Sequence, residues 1–404
     1  MLRLSPKTTY VTILGGQGIA RGLLIALLSF WVVQARLNAL ELVLLGTALE
    51  GVLFCLQVPT GAFADAVGRK TATVIGYALL GLGLGLQGLT RDFGALLALQ
   101  AISGAAWAFL IGSIEAWIAQ QAGTDDLERT FLRGGQASMA GLMAGMGATV
   151  LLGQIDPRLP IFAGGALLIL VSGIAALSMA EDRPVRVEIV ATAVIGLRQI
   201  RASRVLGMLV LVALALGISS EGWDRLYSAH LIRNLGMASA GGLSPVGWLA
   251  LIGLCKCALG IGAFQLVASR LSGLGSGVML AVLYLSRGAM MLVFALAPAL
   301  GVAVIAYLAA ETFGNLGGPF LDAWIARETP QEVRATVLSV VGQADALGQI
   351  VAGPAVGLLG VLASIRAALA VSAVLMLPAG LLAQRARGAK VLIRAIGSKS
   401  TELI

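Results

Sequence analysis

Ile114-Glu-Ala-Trp-Ile-Ala119 returns, 207 residues later, as Leu321-Asp-Ala-Trp-Ile-Ala326. Beyond it, Gln136-Ala137 recurs as Gln343-Ala344 at the same offset, with Arg129 and Arg334 in the intervening loops. Upstream, Gly61-Ala-Phe63 matches Gly262-Ala-Phe264 at an offset of 201. Three matches in one order mark an internal duplication, so the fold is two related halves.

What each half is made of follows from composition. The 404 residues are 58% hydrophobic and only 12% charged, with a mean hydropathy of +0.93, whereas a soluble domain carries roughly 25% charged residues. A soluble fold is excluded. Crossing the hydrocarbon takes about 20 mostly apolar residues as helix, and twelve such runs are predicted near 10–33, 40–62, 71–89, 94–120, 134–153, 159–180, 205–229, 246–268, 274–296, 299–325, 335–359 and 365–383. Lipid cannot satisfy free backbone groups, and runs such as Ala78 to Leu89 lack the alternation of barrel strands, so the spans are helices. The 53 glycines suit close helix approach. Six spans per half keep the two copies parallel in the bilayer.

The net charge of +8 reports topology instead of a polyanion partner. Of 28 basic residues, nineteen fall on the side that holds both termini. Five (Arg36, Arg91, Arg158, Arg233 and Arg366) fall on the other, and four lie within spans. Basic loops face the cytoplasm, so both termini are expected there, in a multi-pass protein of the inner cell membrane. The apolar run after Lys7 is too long for a signal peptide and is read as a retained first span. Cys55, Cys255 and Cys257 all lie in apolar spans and suggest neither a disulfide framework nor a metal site.

The expected domains are a six-helix bundle at 1–180, a linker at 181–204, a second bundle at 205–384 and a basic tail at 385–404. In the linker, Ile189, Val190, Val194, Leu197 and Ile200 recur at helical spacing. It is either a helix lying on the cytoplasmic surface or a flexible connector.

Between the second and third spans the chain reads GAFADAVGRK, residues 61 to 70. Gly61 allows close packing at the helix end, Asp65 and Arg69 are four apart and can pair, and Gly68 permits a tight turn. Gly61, Asp65, Gly68, Arg69 and Lys70 match the Gly-x3-Asp-x2-Gly-Arg-Lys/Arg signature of the major facilitator superfamily, which the chain resembles over nearly its whole length. The resemblance implies twelve transmembrane helices in two parallel-repeat bundles, and a motif that braces this loop against the eleventh helix. In the second half the acidic member is missing, since Leu266 stands at its place. Glu50 through Val58-Pro-Thr-Gly61 and the Ser-Glu-Gly-Trp-Asp-Arg run at 220–225 resemble the drug-efflux branch, whose members exchange drug for proton. The chain departs from that branch at Gln100, where many members carry Arg, and at Met146, where the antiporter pattern has Pro beside Gly141, Gly145 and Gly147.

Arg21, Glu50, Lys256, Arg287, Glu311 and Asp345 fall near the bilayer middle. Each unpaired charge at a helix centre costs about 2.5 to 3.5 kcal/mol on insertion scales, so these groups must pair, neutralise or line a wet cavity. Arg21 and Glu50 lie at similar depth, and Lys256 can meet Glu311 or Asp345. Glu50 is the first candidate for proton coupling, because burial and a neighbouring arginine pull its protonation in opposite directions. A static ion pair is the alternative. Glu221, Asp224 and Arg225 share one face of the seventh span and either line the substrate cavity or its mouth, or form an ion pair at the helix end. Gln17 and Trp107 are further cavity candidates, and the duplicated acids Glu115 and Asp322 are candidates for cytoplasmic gating.

With no P-loop, no HExxH pair and a single histidine, the expected activity is secondary transport and not enzymatic. The expectation is proton-coupled efflux of a small lipophilic or cationic compound by alternating access, or uptake of a small metabolite by proton symport. The partners are the substrate, protons and the lipid bilayer. No cofactor or nucleic acid is expected, and the chain is expected to be a monomer.

Overall fold

The computed structural model describes residues 4–121, 126–180, 198–271 and 276–386. Most of the predicted linker and tail lies outside them. Among the described residues, twelve helices are long and apolar enough to cross a membrane. They are α1 Pro6–Gln34, α2 Ala39–Val67, α3 Arg69–Leu89, α4 Phe93–Gln121, α5 Leu127–Ile155, α6 Leu159–Ser178, α7 Arg204–Asn234, α8 Pro245–Leu266, α9 Ser276–Leu296, α10 Leu300–Glu328, α11 Thr336–Leu362 and α12 Ile365–Ala386. Polar residues start several of them. The Asn38 side chain accepts from the Glu41 N–H while Glu41 reaches back to the Asn38 N–H, a reciprocal cap on α2. Asp92 and Ser364 cap α4 and α12 in the simpler way, each accepting one backbone N–H.

Three predicted boundaries move by five residues or more, among them the start of the fifth helix, at Leu127 and not 134. The second helix runs to Val67, five residues past its expected end at 62, so the Asp65 segment is helix and Gly68 alone connects α2 to α3. The seventh continues through a wide turn, His230–Asn234, which brings Glu221, expected toward an end, near the middle of the span.

One predicted span is also interrupted. Helix α4 stops at Leu110 and restarts at Ser113, because Ile111 turns extended (ψ 116°) and Gly112 has φ +78°. Side-chain-bearing residues avoid that φ. The 207-residue offset relating Glu115 to Asp322 also relates Gly112 to Pro319, which lies inside a helix that continues unbroken.

Helix contacts repeat the duplication. In the first half, a Cβ added at Gly18 of α1 would collide with the Ser138 carbonyl of α5, and one at Gly141 with the Gly15 carbonyl. In the second, Gly217 of α7 meets the Asp345 carbonyl of α11, and Gly348 meets that of Leu214. Ser138 and Gly141 lie 207 residues before Asp345 and Gly348. Such backbone approach gives membrane helices packing that lipid cannot replace. Thr149 adds a hydrogen bond of 3.1 Å to the Gly22 carbonyl across α1 and α5.

Contacts divide the chain into two units. The first comprises Met1–Val187 with Ser228–Leu254, and the second Glu188–Tyr227 with Cys255–Ile404. Within the first, Arg233 donates to the Val32 carbonyl at 2.7 Å, and the Ser244 hydroxyl to that of Gly153 at 2.9 Å.

Candidate functional site

In the second unit, charges on α7, α8, α9 and α10 converge inside the apolar spans. The Glu311 carboxylate lies 3.2 Å from Lys256 Nζ and 3.8 Å from the Arg287 guanidinium. It also accepts from Trp223 Nε1 at 2.9 Å. Helical spacing explains why α7 contributes twice. Trp223 points into a fully buried aromatic group, stacked on Tyr307 and edge-on to Phe294. Its neighbour Asp224 is exposed. One turn earlier, Glu221 is buried and pairs with Arg225 at 3.2 Å.

Glu221, Asp224 and Glu311 thus balance Arg225, Lys256 and Arg287 when all six are ionised. A gained proton or cation shifts the set by one positive charge, and the partly desolvated surround damps the resulting interactions less than bulk water would. Asp345 adds a fourth acid, within electrostatic reach of Arg287 and Glu221, its carboxylate accepting from Gln349 Nε2 at 2.7 Å. Of the two acids offered as partners for Lys256, Glu311 is the one it contacts. Arg287, for which the sequence named no partner, meets the same carboxylate.

The first unit holds a pocket of about 310 Å³ at the break in α4. Gln17, Tyr77, Trp107 and Glu115 line it with Leu110, Ile111, Gly112 and Ile114. Tyr77 donates to Gln17 Oε1 at 3.0 Å. Gln17 and Trp107, expected to line a cavity, therefore share one with Glu115, expected at a gate. Asp322, the repeat counterpart of Glu115, is exposed on α10.

The GAFADAVGRK segment closes on itself. Gly68 adopts φ +123°, and Arg69 bonds Asp65 at 3.3 Å and the Ala116 carbonyl of α4 at 3.3 Å. Lys70 follows in the first turn of α3, half-buried. The close packing expected at Gly61 is not formed. A Cβ there meets nothing within 4 Å among the described residues, because this face of α2 is exposed.

The expected pairing of Arg21 with Glu50 also fails. Arg21 is exposed and makes no ion pair among the described residues. Equal depth did not suffice, because α1 packs chiefly on α5 and α6 and not on α2. Glu50 is half-buried. The sequence missed the Trp223–Tyr307–Tyr227 stack and the α4 break. A glycine repeated as Pro319, followed by a serine and an acid, was the available signal for the break.

No protein-family model and no curated protein sequence matches the chain. Solved structures do. The nucleoside transporter NupG superposes with a TM-score of 0.74 at 14% identity, over 95% of this chain and 99% of that one. A bacterial homologue of the human lysosomal transporter Spinster, inward-facing and unoccupied, gives a TM-score of 0.74 at 14% identity, covering 94% of this chain and 96% of that one. The E. coli fucose:proton symporter FucP gives 0.59 at 16% identity over 94% and 98%. The likeness is one of fold, and it spans both halves of the chain.

Proposed function

We propose that this protein is a secondary transporter that moves a small lipophilic or cationic compound outward in exchange for protons. The observation that carries the proposal is the charge set around Glu311: a membrane helix does not spend several intramembrane charges on packing that leucine would provide at lower cost. Three contacts hold the Glu311 carboxylate in place, while the Asp224 carboxylate nearby is exposed and is the acid assigned to proton exchange. Protonating one acid weakens its hold on the basic residues, and a difference in that hold between two conformations is what shifts their populations. Glu50 is the corresponding candidate in the first half, and the Asp65–Arg69 pair with Gly68 is the hinge latch. Lipid surrounds the twelve helices, and both termini and the Arg69 loop lie on the cytoplasmic side.

Proteoliposomes with an imposed pH difference test this. Uptake of a single-ring quaternary ammonium ion into vesicles driven by an acid interior supports exchange, provided Asp224→Asn abolishes the driven component. Movement of that ion insensitive to the pH difference refutes proton coupling.

A second reading, uptake by proton symport, is favoured by the departures at Gln100 and Met146 and by the fold shared with a fucose:proton symporter. The two differ in sign: substrate accumulates on the side from which protons leave in exchange, and on the side to which they flow in symport.

A further inference from the structure

We infer that the pocket at the α4 break is a binding site for a small organic cation with an aromatic or alicyclic body and a hydrogen-bond acceptor. The proposal deepens the transport reading by naming the substrate class, and rests on that reading only for its physiological meaning. Four features of the pocket specify the ligand.

Glu115 supplies the charge. It lines the pocket from the first turn of Ser113–Gln121 and makes no ion pair among the described residues. The nearby Arg69 guanidinium is committed to Asp65 and to the Ala116 carbonyl. Glu115 is exposed near the cytoplasmic end of α4, so its carboxylate can be reached from that side and can pair with a cation entering the pocket. Trp107 supplies an indole, the best of the aromatic faces for a positive charge. The Tyr77 hydroxyl occupies Gln17 Oε1, which leaves the Gln17 amide N–H groups to donate to a ligand acceptor. Leu110, Ile111 and Ile114 complete an apolar wall.

Size narrows the class. A pocket of 310 Å³ lies at the lower end of the roughly 300 to 1,000 Å³ typical of ligand sites, so it suits a single-ring amine and not a polycyclic dye. The break in α4 shapes this cavity. The Ile111 N–H still donates to the Trp107 carbonyl and the Gly112 carbonyl still accepts from the Ala116 N–H, and an irregular backbone at membrane depth is tolerated only where protein or a cavity covers it. Gly112 is needed for its φ of +78° and not for space, since a Cβ there meets nothing within 4 Å among the described residues.

The test is isothermal titration of the purified full-length protein in detergent with benzyltrimethylammonium, benzyl alcohol and benzoate. Saturable binding of the cation alone is expected. Glu115→Gln weakens it by at least roughly tenfold and Trp107→Ala by about fivefold, while Trp107→Tyr retains most of the affinity, since a ring face survives. Thermal unfolding of each variant checks that the fold is intact, and Trp107→Tyr keeps the test open where Trp107→Ala loses stability. Cation binding unchanged in both Glu115→Gln and Trp107→Ala, benzoate binding as tight as the cation, or no saturable binding at millimolar concentration each overturns the site. Binding that depends on Glu115 in a protein that moves nothing across liposomes leaves the site standing and removes the transporter reading instead.

Discussion

Replacing Glu311 by Gln removes one charge and leaves two. Lys256 at 3.2 Å and Arg287 at 3.8 Å lose their shared counter-ion, and the Trp223 indole keeps only a weaker, neutral acceptor. Removing one partner of a buried ion pair costs about 3 to 5 kcal/mol, because the other charge is stranded. The Lys256 side chain is 30% exposed and Glu311 12%, which favours the low end, about 3 kcal/mol. At roughly 2 to 4 °C per kcal/mol for a unit of this size, the unfolding midpoint falls by about 6 to 12 °C. Tryptophan emission during heating reads the change, and Trp223 reports it directly. The double variant Lys256→Met/Glu311→Gln recovers at least half of the loss, because it strands one fewer cation. A Glu311→Gln midpoint within about 1 °C of wild type, or strictly additive effects of the two substitutions, refutes a coupled cluster.

Gly68→Ala places a side chain at φ +123°, so it is expected to slow pH-driven flux and to lower stability by about 1 to 2 kcal/mol. Asp65→Asn should cost under about 1 kcal/mol, since its pair is partly exposed, and yet reduce flux. Wild-type flux in both variants would deny the segment any conformational role. Gly145→Val drives a branched side chain into the Ile19 carbonyl, separating α1 from α5, and folded protein recovered by size-exclusion chromatography should fall sharply; an unchanged yield contradicts the close approach. Outside the spans, Lys7 holds the Asp126 carboxyl and Arg158 the Asp156 carboxyl below the ordinary carboxylate range. A lowered folded value means that the contribution of each pair is present above that range and is lost only as pH falls through the lowered value. Between about pH 5 and 8 both stay ionised. Asp126→Asn and Asp156→Asn should therefore keep the wild-type pH profile of transport, and a displaced midpoint would show that these surface acids take part in coupling.

Sequence fixed the helices because the hydrocarbon leaves so little choice: apolar runs of sufficient length must be helical, and duplicated phrases require related halves. Contacts of short range were legible for the same reason. Glu221 and Arg225 are four residues apart on one helix and meet whatever surrounds them, and Asp65 and Arg69 meet across the single-residue turn at Gly68. Which distant side chains share a depth and also a face depends on how each helix is rotated about its axis, and hydropathy does not encode that. So Lys256, Arg287 and Glu311 converge while Arg21, at a comparable depth on α1, makes no ion pair among the described residues. The rotations are set by where glycine lets backbones touch, as at Gly18 and Ser138 or Gly217 and Asp345. Likewise the break at Gly112 is a tertiary decision, since its repeat partner Pro319, the stronger helix breaker by itself, sits in a continuous helix.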